Sequence, residues 1–298
     1  MFLIVQNVTG IGLAKIFGAH PGYGLFAGSV SFAGGHGTAI AWGAEAEAAG
    51  LVNARELGIA FATFGLIAGG ILGGPIAGRL IKRYRLQAPE HHSPTESTSQ
   101  PALDESAFRA SDVMNTILAL AICVALGQAI NQYLFAQGVM LPGFLTAMMV
   151  GIILTNLSDL VKIKTSKPTI DLIGDVALQL FLSMSLLSMN LMSISQSAGP
   201  IVIVLFLQML VITVFAVYIV FRVMGRDYDA AVICGGFVGL GLGATPVAIA
   251  NMGAITDKFG PSFKAFLVVP LVGAFFIDLC NALVIKFFLS LPMMQTPL

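Results

Sequence analysis

Long apolar runs separated by short polar ones dominate the chain, and their lengths predict helices. Runs long enough to span a bilayer fall at about residues 2–17, 59–80, 112–135, 141–158, 171–193, 200–221 and 264–289. A membrane barrel would instead show short segments of alternating polarity. Two further apolar segments, about 22–43 and 229–252, are rich in glycine and interrupted by polar residues. Irregular backbone at membrane depth is tolerated only against protein or a water-lined cavity. Each of these segments is therefore a broken helix that crosses or a loop that re-enters and returns.

The long polar interval at 84–111, with "PEHHSPTESTSQP", reads as a surface linker. It divides the chain into an N-terminal part, 1–85, a connection, 86–111, and a C-terminal part, 112–298. His91 and His92 read as a solvated pair rather than a metal site. Arg79, Lys82, Arg83 and Arg85 precede the linker, and Lys162, Lys164 and Lys167 occupy the next loop expected on the same side. That bias assigns this side to the cytoplasm.

The two parts echo each other. "GGHGTAIA" at 34–41 has a counterpart in "GLGATPVAIA" at 241–250, and each is followed by an apolar helix led by a phenylalanine, Phe61 or Phe263. Paired interrupted segments in corresponding positions point to the binding site of a secondary transporter built from two repeats. Re-entry of the interrupted segments gives inverted repeats and full crossing gives parallel ones; re-entry and inversion are the preferred reading.

Composition excludes the soluble classes. Of 298 residues, 57% are hydrophobic and 10% charged, against roughly 25% charged in a soluble domain; the mean hydropathy is +0.90. The formal net charge is zero, so no basic surface argues for nucleic acid. Met1 leads directly into apolar residues, and a cleavable signal is not expected. Cys123, Cys234 and Cys280 stand singly in apolar runs and read as packing residues. "GLGLGATP" lacks the lysine and context of a phosphate loop, and no H-E-x-x-H or G-x-S-x-G motif occurs. The chain is not read as an enzyme.

The interrupted segments supply the candidate chemistry. Free N–H groups at a helix start can hold a carboxylate, and exposed carbonyls at a helix end can bind a dehydrated cation. Gly34, Gly35, Gly37 and Thr38 form one expected tip; Gly241, Gly243, Thr245 and Asn251 contribute to the other. Pro246 lacks a main-chain donor and suits a break beside Thr245. Tight helix packing is the competing reading for these small residues, as for "GGILGGP" at 69–75. His36 either meets an acidic substrate or hydrogen-bonds across the bundle. Asp278 and Asn281 lie three apart, near one helix face in an apolar setting, and suit sodium coordination or a structural network. Asp175 is a weaker candidate, and Asn115, Asn131, Asn156, Asn190, Gln208 and Thr213 read as cross-helix donors or end residues. Trp42 and Tyr218 read as interface anchors or packing groups.

"SFAGGHGTAIAW" and the stretch from Arg226 to Lys286, which includes "GGFVGLGLGATPVAIANMGAITDKFGPSFKAF", closely resemble the bacterial sodium/glutamate symporter family, and the resemblance runs through nearly the whole chain. It implies an all-α, polytopic inner-membrane symporter of two inverted five-helix repeats, each with a glycine-rich re-entrant or broken element, assembled as a homodimer. It further implies L-glutamate as substrate and sodium as coupling ion. Carried onto this chain, the family motifs select Gly34, Gly35, His36, Gly37 and Thr38, and then Gly241, Gly243, Ala244, Thr245 and Pro246, for the substrate. Thr245, Asn251, Asp278 and Asn281 are selected for sodium. The family's first repeat ordinarily has three helices before the region matching residues 2–17, so the N-terminal repeat is expected to be incomplete. The competing expectations are a related dicarboxylate transporter with different ion coupling and a non-transporting fragment.

Overall fold

The computed structural model describes residues 1–88, 110–137, 143–160, 166–187 and 198–294. Residues 89–109 of the polar interval, with His91 and His92, the end of the run 171–193 with Asn190, and the loop carrying Lys162 and Lys164 lie outside these residues. The described secondary structure is all helical. The chain forms two compact units, 1–90 with 188–298, and 91–187.

The smaller unit contains α5 (Ala110–Ala136), α6 (Gly143–Leu160) and α7 (Lys167–Leu187). Gly127 lets α5 and α6 approach: a methyl there would fall 2.4 Å from the Ala147 Cα. Asn156 donates within its own helix, to the Ile152 carbonyl at 2.8 Å.

The larger unit holds both interrupted segments. Its first part runs α1 (Phe2–Ile16), α2 (Pro21–Phe26), α3 (Gly35–Ala48) and α4 (Ala54–Tyr84). Its second part runs α8 (Ala198–Phe215), α9 (Tyr228–Leu242), α10 (Thr245–Phe259), α11 (Phe263–Leu271) and α12 (Ile277–Leu289). Local chemistry fixes several starts. The His20 side chain accepts from the Gly22 N–H, with Pro21 at the first helical position of α2. Asp227 accepts from Ala230 N–H at 2.7 Å to cap α9, and Ser262 accepts from Ala265 N–H to start α11. Lys82 and Arg83 in the last turn of α4 complement its dipole.

Two π turns, Ala216–Val220 after α8 and Val272–Phe276 between α11 and α12, keep those helices continuous. Apolar periodicity gives no sign of them. Pro270 precedes the second and removes one helix donor. At the first, the Cys234 thiol donates to the Ala216 carbonyl at 3.3 Å. Cys234 is buried, so it serves as a packing residue with one weak donor bond.

The stretches Ala54–Tyr84, Ala110–Ala136 and Gly199–Val223 are long and apolar enough to cross a membrane. Shorter apolar helices accompany them at Phe2–Ile16, Thr146–Ser158 and Tyr228–Leu242. The chain is thus polytopic. Around the interrupted segments, α4 packs against α3, α9 and α10, while α1 packs on α2 and α8.

Candidate functional site

Both glycine-rich segments break as their composition demands. The first leaves helix after Phe26, turns irregularly through 27–34 and resumes at Gly35. The break starts earlier than the glycine cluster, so His36, Gly37 and Thr38 belong to the first turn of α3. Gly35 has φ +65°, a left-handed conformation that a side chain disfavours. In the second segment, α9 ends at Leu242, and Gly243 and Ala244 form the break before Thr245 opens α10. Neither α3 nor α10 has a side-chain cap, so donors of both first turns are left without a side-chain acceptor.

The tips meet. A methyl built on Gly35 would stand 3.5 Å from the Gly243 carbonyl oxygen. The α4 backbone closes one side: a methyl on Gly65 would fall 2.4 Å from the Leu242 carbonyl oxygen, and one on Gly243 3.2 Å from the Leu66 Cα. The Thr245 hydroxyl faces the π turn between α11 and α12, where a methyl on Gly273 would fall 2.4 Å from it.

Several predicted site residues prove to be braced. His36 Nε2 lies 3.0 Å from Thr63 Oγ1, and that hydroxyl donates to the Ile59 carbonyl at 2.9 Å. The threonine proton is thereby used, so His36 donates through Nε2 and ties α3 to α4. The Asn251 amide donates to the Gly69 carbonyl at 3.0 Å and the Gly235 carbonyl at 3.3 Å, linking α10 to α4 and α9. Gly69 and Gly73 of the "GGILGGP" stretch accommodate that contact, which accords with the packing reading of this stretch: a methyl on Gly73 would fall 2.2 Å from the Asn251 nitrogen. Trp42 is buried in an apolar cluster with Ile285 and Phe288, a packing position.

Asn281 is 1% exposed and donates to the Ser29 carbonyl at 3.0 Å, against the first break. Asp278 is half-buried at the start of α12. Asn251 and Asn281, both predicted for sodium, anchor to different backbones. The side chain of Asp175 lies outside the described side chains.

A second polar cluster escaped the sequence reading. Asn7 Oδ1 accepts from Ser29 N–H at 2.7 Å. Gln6 donates to the Gly241 carbonyl at 2.9 Å, and Gln208 donates to the Gln6 and Ala27 carbonyls at 2.9 and 2.8 Å. Glutamines from α1 and α8 thus hold carbonyls near the ends of both leading half-helices. Gln208 is the cross-helix donor expected of it. The signal for the others was the pair Gln6–Asn7 inside an apolar run, where two adjacent polar residues need partners.

The architecture so far is that of a polytopic helical membrane protein whose two interrupted helices meet at their breaks. The chain belongs to the sodium/glutamate symporter family, whose description, Sodium/glutamate symporter, matches residues 1–261. The Sodium/glutamate symporter of Escherichia coli (strain K12) is 42% identical over 301 residues, covering 97% of this chain and 73% of that protein. That of Haemophilus influenzae is 41% identical over 292 residues, covering 96% of this chain and 72% of that protein. No solved structure matches the chain. Among the described residues no cluster of three or more histidine, cysteine or acidic side chains is placed to hold a metal ion.

Proposed function

We propose that this protein carries L-glutamate together with sodium across a bacterial inner membrane by alternating access. The supporting observation is the junction at Gly35 and Gly243, where α3 and α10 both begin without a side-chain cap. Two helix starts directed to one place favour an anion with two carboxylates, since each offers main-chain donors and partial positive charge. In this reading Gly34–Thr38 and Gly241–Pro246 hold the substrate, with His36 and Asn251 fixing the tips to α4. Thr245 and Asp278 serve a cation beside the second tip, and Asn281 one beside the first. The sodium gradient supplies the free energy, and the bound cation offsets part of the substrate's charge.

The regions 1–85 and 112–298 are the two inverted repeats, their interrupted segments re-entering from opposite sides, and the protein works as a homodimer. Binding of labelled L-glutamate to purified protein tests the substrate reading. The expected result is saturable binding in sodium chloride that falls at least tenfold in choline chloride and is unaffected by neutral amino acids. Equal binding in both salts, or none to well-folded protein, contradicts it.

A further inference from the structure

The two interrupted segments are closed at their bases in different ways. In the second, α9 and α10 pack on each other along their length: methyls on Gly235, Gly236 and Gly239 would fall 2.4 Å from Ile255, 2.7 Å from Met252 and 2.7 Å from the Ala248 nitrogen. Several bonds then close its base. The Tyr228 hydroxyl donates to the Gly260 carbonyl, and Tyr228 is only 3% exposed. The Ser262 hydroxyl donates to the Asp229 carboxylate at 2.6 Å, and Lys264 pairs with Asp227 at 3.9 Å.

The first segment is divided by a seam. α2 packs on α1 and α3 packs on α4, with little contact between α2 and α3. Gln208 ties the Ala27 carbonyl, just past α2, to α8, so α1, α2 and α8 form one side of the seam and α3 with α4 the other. At the break end Gln6 of α1 bonds the Gly241 carbonyl of α9, which packs on α4, and this bond is buried. At the base the seam is bridged by Tyr23, whose hydroxyl donates to the Val52 carbonyl at 2.9 Å. That bond is exposed, and water replaces it at little cost. Beside it lies a cavity of about 350 Å³, with Ala14, Tyr23 and Ile201 from α1, α2 and α8 on one wall and Leu57 and Phe61 from α4 on the other. A void there removes packing contacts across the seam and leaves room for its sides to move. Trp42 of α3 packs in a cluster with Leu25 and Phe26 of α2. Its indole N–H is buried and has no hydrogen-bond partner among the described residues, and an orphaned donor favours a state in which water reaches it.

We propose that Tyr23 is a releasable latch at the base of the first interrupted segment. When its bond to Val52 breaks, the α1–α2 side hinges away from α3 and α4 about the buried Gln6 bond, and Trp42 meets water. The first tip, whose break begins at Ala27, then changes its relation to Gly243. Tyr23 acts as a positioning residue: it holds the tip closed without touching the solute. Its role in transport rests on the function proposed above, whereas the opening itself does not.

Trp42 is the only tryptophan of the chain, so its fluorescence reads the seam directly. The test is acrylamide quenching of the purified full chain without glutamate, alongside thermal unfolding of the same samples. Tyr23→Phe removes only the hydroxyl and is expected to raise the quenching constant by about twofold or more, with Tm within a few degrees of wild type. Tyr228→Phe is expected to lower Tm and leave Trp42 quenching in the folded protein unchanged, a split that general loosening would not give. Wild-type quenching in folded Tyr23→Phe overturns the latch, as does an equal rise in the two variants. If Tyr23→Phe fails to fold, wild type decides: its Trp42 quenching is expected to rise with temperature before the global transition, and a rise confined to that transition overturns the latch. Sodium-dependent glutamate binding together with unchanged quenching in Tyr23→Phe would leave the transport reading standing and remove only the latch. The expected quenching in a protein that binds no glutamate would do the reverse.

Discussion

Asn251 and Gly73 show how single positions hold the interrupted segments. The Asn251 amide bonds two backbone carbonyls on different helices, and Asn251→Ala removes both bonds while opening space. The expected loss is about 1–3 kcal/mol, read as a lower unfolding midpoint in detergent. Gly73→Ala places a methyl 2.2 Å from the same amide and 2.7 Å from the Gly235 carbonyl oxygen, so it should destabilise by about 1–3 kcal/mol. Its neighbour Gly74 has nothing within 4 Å of such a methyl, and Gly74→Ala should be neutral or stabilising by up to about 1 kcal/mol. Equal effects of the two alanines would contradict the packing described for α4. At this scale the sequence was partly legible. Asn251 and Asn281 stood out as polar residues in apolar runs, but their partners are main-chain carbonyls of remote helices. A carbonyl has no sequence signature, so neither the brace at Gly69 nor the anchor at Ser29 could be read.

The helices themselves were legible because bilayer thickness fixes their length and lipid fixes their polarity. The run predicted at 264–289 matches α11, its π turn and α12, from Phe263 to Leu289. Both interruptions were also legible, since glycine permits the turn and Pro246 lacks a main-chain donor, although the glycines of α4 show that such a cluster can equally serve packing inside an unbroken helix. The extent of the first was not: 27–34 contains residues that a helix would accept, and their irregular path is set by contacts with Asn7 and Asn281. The tip offers its own test. Gly35 sits at φ +65°, so Gly35→Ala carries about 1–2 kcal/mol of backbone strain. That strain would be relieved by shifting the start of α3 away from Gly243. Glutamate binding is expected to fall at least tenfold while the unfolding midpoint drops by only a few degrees; undiminished binding would separate the tip from the substrate.

Across the whole molecule, the two interrupted segments come from opposite ends of the chain, yet they share one compact unit with α4 between them. Packing alone would account for their proximity. Uncapped helix starts and a break held by remote asparagines go beyond what packing needs. They suit a protein whose tips respond to bound solutes. Coupling then follows from linkage: if sodium favours the tip geometry that binds glutamate, glutamate must favour sodium binding by the same factor. The most direct measurement is uptake of labelled L-glutamate into proteoliposomes containing residues 1–298, with an inward sodium gradient or with equal sodium on both sides. Sodium-coupled transport predicts accumulation above equilibrium with the gradient and only equilibration without it. Equal uptake in the two conditions, or no uptake by correctly folded and inserted protein, would contradict it.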